Sequence, residues 1–336
     1  MRFLIMGICR VSLYMCLILM GICLMVIGIG GQMPLSPVIA YMAEKSDSNS
    51  WDLFMMDMRT GVTLRLTNTH TVDERYPAWA SAGNRLAYHH NETGTFNLAV
   101  MTLNQTIPTY TPFLLEANMG DLTTIYDRAM PAWSYDDTYL GFHAKTRNGR
   151  YGLFMGYADG RETRMIINPP ELGDVVQWAW SPDATQIAFT QTMPTESHIY
   201  LLTLPEGIQP FATNRANMRR IIENANFPAW SPDGTKIAYV QQLNDISVVN
   251  RIWIYDFVTN TQVKLIPSGY RWTCDELHPE WTPDGQSIVF ATDCNTLSER
   301  NFDIYIVNAD GTGLRRLTFG AMDELAPDWG IYDAGG

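Results

Sequence analysis

The stretch FPAWSPDGTKIAY, Phe227 to Tyr239, reads as a strand, a four-residue turn and a second strand. Ser231-Pro232-Asp233-Gly234 suits a type I turn: proline at the second place, glycine at the fourth, where a positive φ carries little strain. The flanking Ala229-Trp230 and Ile237-Ala238-Tyr239 are rich in aromatic and branched residues, which fit a pleated sheet better than a helix. One hairpin is not stable alone in water, so this one needs neighbours.

The neighbours are further copies of it. Tyr76-Pro77-Ala78-Trp79, Met130-Pro131-Ala132-Trp133, Gln177-Trp178-Ala179-Trp180, His278-Pro279-Glu280-Trp281 and Ala326-Pro327-Asp328-Trp329 join Trp230 to make six anchor tryptophans, spaced 54, 47, 50, 51 and 48 residues apart. A near-constant period of this size marks a solenoid, a propeller or an array rather than ordinary domains. Between anchors the order recurs: hairpin, loop, a strand such as Asp303 to Val307, a turn such as Ala309-Asp310-Gly311, and a strand ending like Arg316-Leu317-Thr318. That is four strands per repeat, and the expected fold is all-β. A short helical turn is predicted around Asn214 to Glu223.

The ends indicate how the array closes. Val38 to Tyr41, Asp52 to Met58 and Thr63 to Thr67 read as the second, third and fourth strands of a repeat that has no first, while Trp329 anchors a first strand with little after it. The last strand is therefore expected to complete the first blade, closing a six-bladed β-propeller and shielding edge strands. The expected division is a membrane segment over 1–31, a linker over 32–37 and the propeller over 38–332.

The pattern P-A-W-S-P-D-G, then I-A-Y, D-G and R-L-T resembles the repeat of the TolB-like, WD-related propeller family over roughly residues 36 to 332. The resemblance implies the fold strongly. It leaves function open, because such propellers serve as periplasmic binding modules, peptidase accessory domains and parts of carbohydrate-active enzymes. Ala184 stands where the turn glycine is expected, so it is predicted to be strained, and the turns Ala80 to Gly83 and Ser134 to Asp137 lack the proline. The recurrent tryptophans are expected to be core between sheets.

Val11 to Ile29 is a 19-residue run with Ser12 as its one polar residue, preceded by Arg2 and Arg10. It is long enough to span a bilayer, and positive charge on its leading side keeps that end cytoplasmic, with the propeller outside. An uncleaved anchor is favoured; the alternative is a cleaved signal peptide and a secreted propeller. Cys274 and Cys294 flank the turn at Asp284 almost symmetrically, so a disulfide is expected, with two unpaired loop cysteines as the alternative. With 23 basic and 35 acidic residues and no basic stripe, the chain is not a nucleic-acid binder.

Six residues before each anchor stand Asp73, Asp127, Asp174, Asn224, Asp275 and Asp323, with Glu74, Glu276 and Glu324 beside three of them. In a propeller these positions are expected to gather on one face near the channel mouth. They read either as turn formers that accept backbone N–H bonds or as a ring that binds a cation, Ca2+ being suited to such oxygens, or a basic partner. No Gly-x-Ser-x-Gly elbow, His-Glu-x-x-His pair, phosphate loop or paired-cysteine zinc spacing occurs. His89, His90, His143 and His278 are expected in loops on the aspartate face. The expected function is a non-catalytic module binding or scaffolding a protein or small ligand; the alternative is a metal-assisted lyase or hydrolase acting on acidic carbohydrate.

Overall fold

A computed structural model describes residues 36–46, 48–103, 109–112, 126–167, 173–204, 217–243, 249–266, 274–294 and 301–332. The turn of the opening stretch closes as its residues dictate: the Gly234 amide donates to the Ser231 carbonyl at 2.9 Å, and the Ser231 hydroxyl meets Asp233 Oδ1 at 2.6 Å. The bond recurs at Gly83 to Ala80, Asp137 to Ser134, Ala184 to Ser181 and Gly285 to Thr282. Neither the proline nor the glycine is required for it. Ala184 does sit at φ 55°, the left-handed conformation that glycine adopts freely.

Among the described residues, twenty-four strands form six four-stranded antiparallel sheets. Blade 1 holds β1 (Ser36–Lys45), β2 (Ser48–Asp57) and β3 (Thr63–Arg65), completed by β24 (Glu324–Tyr332) as its innermost strand. Ile39 of β1 lies opposite both Trp329 of β24 and Met56 of β2, so the carboxyl end closes the ring by ordinary pairing. Blade 2 runs β4 (Glu74–Trp79), β5 (Arg85–His90), β6 (Asn97–Thr102) and β7 (Thr109–Pro112). Blade 3 runs β8 (Tyr126–Trp133), β9 (Tyr139–Lys145), β10 (Tyr151–Tyr157) and β11 (Arg164–Ile167). Blade 4 follows with β12 (Asp174–Trp180), β13 (Gln186–Thr192), β14 (Ser197–Thr203) and β15 (Met218–Glu223). Blade 5 is β16 (Ala225–Trp230), β17 (Lys236–Leu243), β18 (Val249–Asp256) and β19 (Thr261–Lys264). Blade 6 is β20 (Glu276–Trp281), β21 (Ser287–Thr292), β22 (Asp303–Asn308) and β23 (Arg315–Arg316).

One expectation needs correction. In the segment expected as a helical turn around Asn214 to Glu223, Met218–Glu223 is the strand β15, whose Ile222 pairs with Ile199 of β14 and is buried between blades. Sheet pairing outweighs local helical preference there. The described part of β1 starts at Ser36, two residues before the expected start of the propeller at 38. The apolar segment from Val11 to Ile29 lies outside the described residues; among those described, no helix is long and apolar enough to cross a membrane.

The core is six layers, one between each pair of neighbouring blades. The anchors lie in them: Trp79, Trp133, Trp180, Trp230 and Trp281 are each less than a tenth exposed, and the indole N–H of Trp133 donates to the Ala78 carbonyl of the preceding blade at 3.0 Å. Blade 4 departs from the repeat by placing Trp178 where the others have proline. Its ring fills the space a Cβ on Gly141 would need. Cys274 and Cys294 are joined by a disulfide with Cα atoms 5.1 Å apart.

Candidate functional site: a cup at the propeller axis

Every innermost strand carries the same irregularity. Its pairing with the second strand shifts register, for instance between Arg75 and Ala78, Asn226 and Ala229, or Leu277 and Glu280. The residue three before each anchor takes a positive φ: Tyr76 50°, Met130 49°, Gln177 47°, Phe227 52°, His278 52° and Ala326 51°. A left-handed conformation costs a non-glycine residue of order 1 kcal/mol or more, and it persists only where the surroundings impose it. The proline that follows in five of the six repeats suits such a bulge, because it has no N–H for the broken ladder to orphan.

These bulged residues line a cavity of about 460 Å³ on the propeller axis. The side chains converge: His278 of blade 6 meets Phe227 of blade 5 at 4.4 Å between ring centres, and Tyr76 of blade 2 at 5.7 Å. Tyr76 reaches His278 past blade 1, where the bulged residue is the small Ala326. The cavity is therefore a cup with an aromatic floor. Its rim is built by turn residues, including Ser81, Pro182, Pro232 and Pro283, together with the exposed Tyr135.

The wall is set by the residue just before each anchor. Four repeats place alanine there, Ala78, Ala132, Ala179 and Ala229, whereas blade 6 places Glu280 and the adjoining blade 1 places Asp328. Burial and then the neighbouring Asp328 charge hold the Glu280 carboxyl well above its ordinary range, and burial pushes Asp328 up to about 7 although its Oδ2 accepts the Trp79 amide at 2.6 Å. Two interacting acids of this kind titrate as a pair. Burial also lowers His278 to about 4, so its imidazole is neutral, and neither ring nitrogen has a hydrogen-bond partner among the described residues.

None of the acidic positions expected at a channel mouth lines the cup. Four of them accept a backbone N–H from the preceding blade. Asp73 takes that of Trp51 at 3.1 Å, Asp174 that of Tyr151 at 3.0 Å, Asp275 that of Asn250 at 2.7 Å and Asp323 that of Phe302 at 2.8 Å. Asp127 instead pairs with Lys145 at 2.7 Å, and the backbone N–H of Asn224 donates to His198 Nδ1 at 3.3 Å. Of the adjoining glutamates, Glu74 and Glu324 are pushed by burial to about 7, and Glu276 is raised for the same reason while accepting the Ile252 amide at 2.9 Å.

The histidines expected in loops are in strands. His89 and His90 end β5 and His143 lies in β9, where β pairing buries them, while His278 lies in β20 and is half-buried at the cup. His89 Nδ1 accepts the amide of the bulged Met130 at 3.1 Å, so this ring helps to hold the bulge. Among the described residues, the three side chains that bring metal-ligating atoms together are Cys274, Asp293 and Cys294, and the two sulfurs are already bonded to each other. The cup is not among the sequence-based expectations, although its signal is present: reading down the third and first positions before each anchor gives Tyr, Met, Gln, Phe, His, Ala and Ala, Ala, Ala, Ala, Glu, Asp.

Comparison with known proteins agrees with the geometry. Residues 134–333 match the family described as TolB beta propeller domain. The chain is similar to the structure of TolB from Acinetobacter baumannii, with a TM-score of 0.65 and 19% identity over 90% of this chain and 68% of that one. A putative TolB from Agrobacterium tumefaciens gives 0.63 and 15% over 89% and 99%. An oligogalacturonate lyase in complex with manganese gives 0.51 and 16% over 87% and 74%. Identities this low speak of fold alone. The family match spans more than half the chain and agrees with the repeat and the six four-stranded blades: the chain belongs to the TolB β-propeller domain family.

Proposed function

We propose that the chain is a non-catalytic, extracytoplasmic binding or scaffolding module, held to a membrane by its amino-terminal apolar segment, and that it takes a protein ligand at the cup. The observation that carries this reading is the cup itself: six strained bulges present six different side chains to one axial cavity. A ring serving only to close the fold has no use for diverse residues in strained conformations, and rigid scaffolds commonly present loops for recognition in this way. The volume falls within the range of ligand pockets. Membrane attachment is supported by the length of the apolar run and its leading arginines.

The test is site-specific photo-cross-linking in the native host envelope. A photoreactive residue replacing Tyr135, at the rim, is expected to give a discrete adduct, while one replacing Val258, exposed on the outer part of blade 5, gives none. Equal labelling at both positions, or none at Tyr135, would sink the reading.

A further inference from the structure

We propose that the cup recognises a basic side chain, an arginine or lysine carried on an extended segment of the partner, and that Glu280 and Asp328 are the residues that bind its cation. This rests on the reading of the cup as a binding site.

Several buried or half-buried acids elsewhere in the protein are matched by cations of the same chain. Asp52 has Lys45 and Arg65, Asp127 has Lys145, and Asp303 has Arg316. At the cup, among the described residues, no lysine or arginine lines the cavity beside Glu280 and Asp328, and the two acids are met by the backbone amides of Trp281 and Trp79. Burying acids without a counter-charge is costly, and the cost falls if a ligand brings the charge. The four alanines at the equivalent wall positions leave room for it, so the acidic pair faces an otherwise small-residue wall.

The rest of the lining suits an organic cation better than a metal ion. Tyr76 and Phe227 line the cup, and aromatic rings attract guanidinium and ammonium groups. The unpartnered His278 imidazole can accept an N–H, and a guanidinium has five to distribute. A bare ion would leave most of 460 Å³ empty, while a long side chain with its flanking backbone fills it. The two acids are in adjacent blades, so one planar group can meet both.

The probes are acetyl-Gly-Arg-Gly-amide and its citrulline twin, which keeps the shape and loses the charge. Each is titrated calorimetrically into the full-length protein in detergent. The arginine peptide is expected to bind at least about tenfold more tightly, a difference of about 1.4 kcal/mol. Glu280→Gln and Asp328→Asn should each bring that ratio toward one, and Asp159→Asn, in an exposed turn of blade 3, should leave it unchanged. Thermal unfolding checks that each variant is folded, and the comparison of the two peptides on the unaltered protein needs no variant. Equal binding of both peptides overturns the cation preference while leaving the cup a peptide site. Binding of neither, with the Tyr135 adduct still formed, also overturns it and spares the wider reading. A ratio that both acid variants leave intact assigns the preference to other residues and overturns the role of this pair.

Discussion

Replacing Asp328 with asparagine removes one carboxylate from the cup while keeping an oxygen for the Trp79 amide, which Asp328 Oδ2 accepts at 2.6 Å. Burial raises the Asp328 pKa from 3.8 to about 7. The unfolded chain therefore releases this proton near pH 4, while the folded chain keeps it until about pH 7. Between those values the folded state binds more protons, so the group's contribution to stability falls as pH rises and is least favourable above pH 7. A rise of that size corresponds to about 4 kcal/mol at most. Asp328 shares its charge with Glu280 and touches the open cup, so a realistic gain for Asp328→Asn at pH 8 is about 1–2 kcal/mol. For a domain of this size that is a rise in Tm of about 2–6 °C. Differential scanning calorimetry of both proteins at pH 8, 6.5 and 5 should show the advantage shrinking steadily as the wild type takes up its proton. His89, His143 and His278, whose depressed pKa values make acid destabilising, are common to both proteins and cancel. A variant less stable than wild type at pH 8, or a difference independent of pH, would refute a carboxylate whose charge burial disfavours.

Further expectations concern the scaffold. Ala184→Gly relieves a left-handed alanine in the blade 4 turn and should stabilise by about 0.5–1 kcal/mol; a clear fall in Tm would contradict the strain. Gly141→Ala drives a methyl group into the Trp178 ring and should cost about 1–3 kcal/mol, most of it recovered in the Gly141→Ala, Trp178→Pro double variant; additive losses would place the cost elsewhere. Replacing Cys274 and Cys294 by serine opens a loop of sequence separation 20 and should cost about 3 kcal/mol in denaturant unfolding, whereas an unchanged midpoint would mean the crosslink constrains nothing.

Much of the scaffold is legible in the sequence because its signals are local. A turn such as Ser231 to Gly234 is specified by its own four residues, and the tryptophans repeat with the blades they anchor. The acidic positions are legible as a repeat, yet their partners are not: Asp275 bonds to Asn250 and Asp323 to Phe302, residues of the preceding blade that spacing alone does not pair. The histidines depart from expectation because strand ends drawn from composition fall short. β5 continues through His89 and His90 into pairing with Glu74 and Arg75.

The sequence by itself determined the number of blades, the turn that closes each hairpin and the use of the last strand to complete the first blade. Each of these follows from chemistry within a few residues or from a fixed period. Only the tertiary structure decided the cup. Glu280 and Asp328 meet because closure sets blade 6 beside blade 1, and Tyr76 reaches His278, four blades further along the chain, because a register shift in every innermost strand turns the third residue before the tryptophan toward the axis. A bulge changes which way a side chain faces without changing the residue pattern, and a ring brings its ends together at no cost in local sequence.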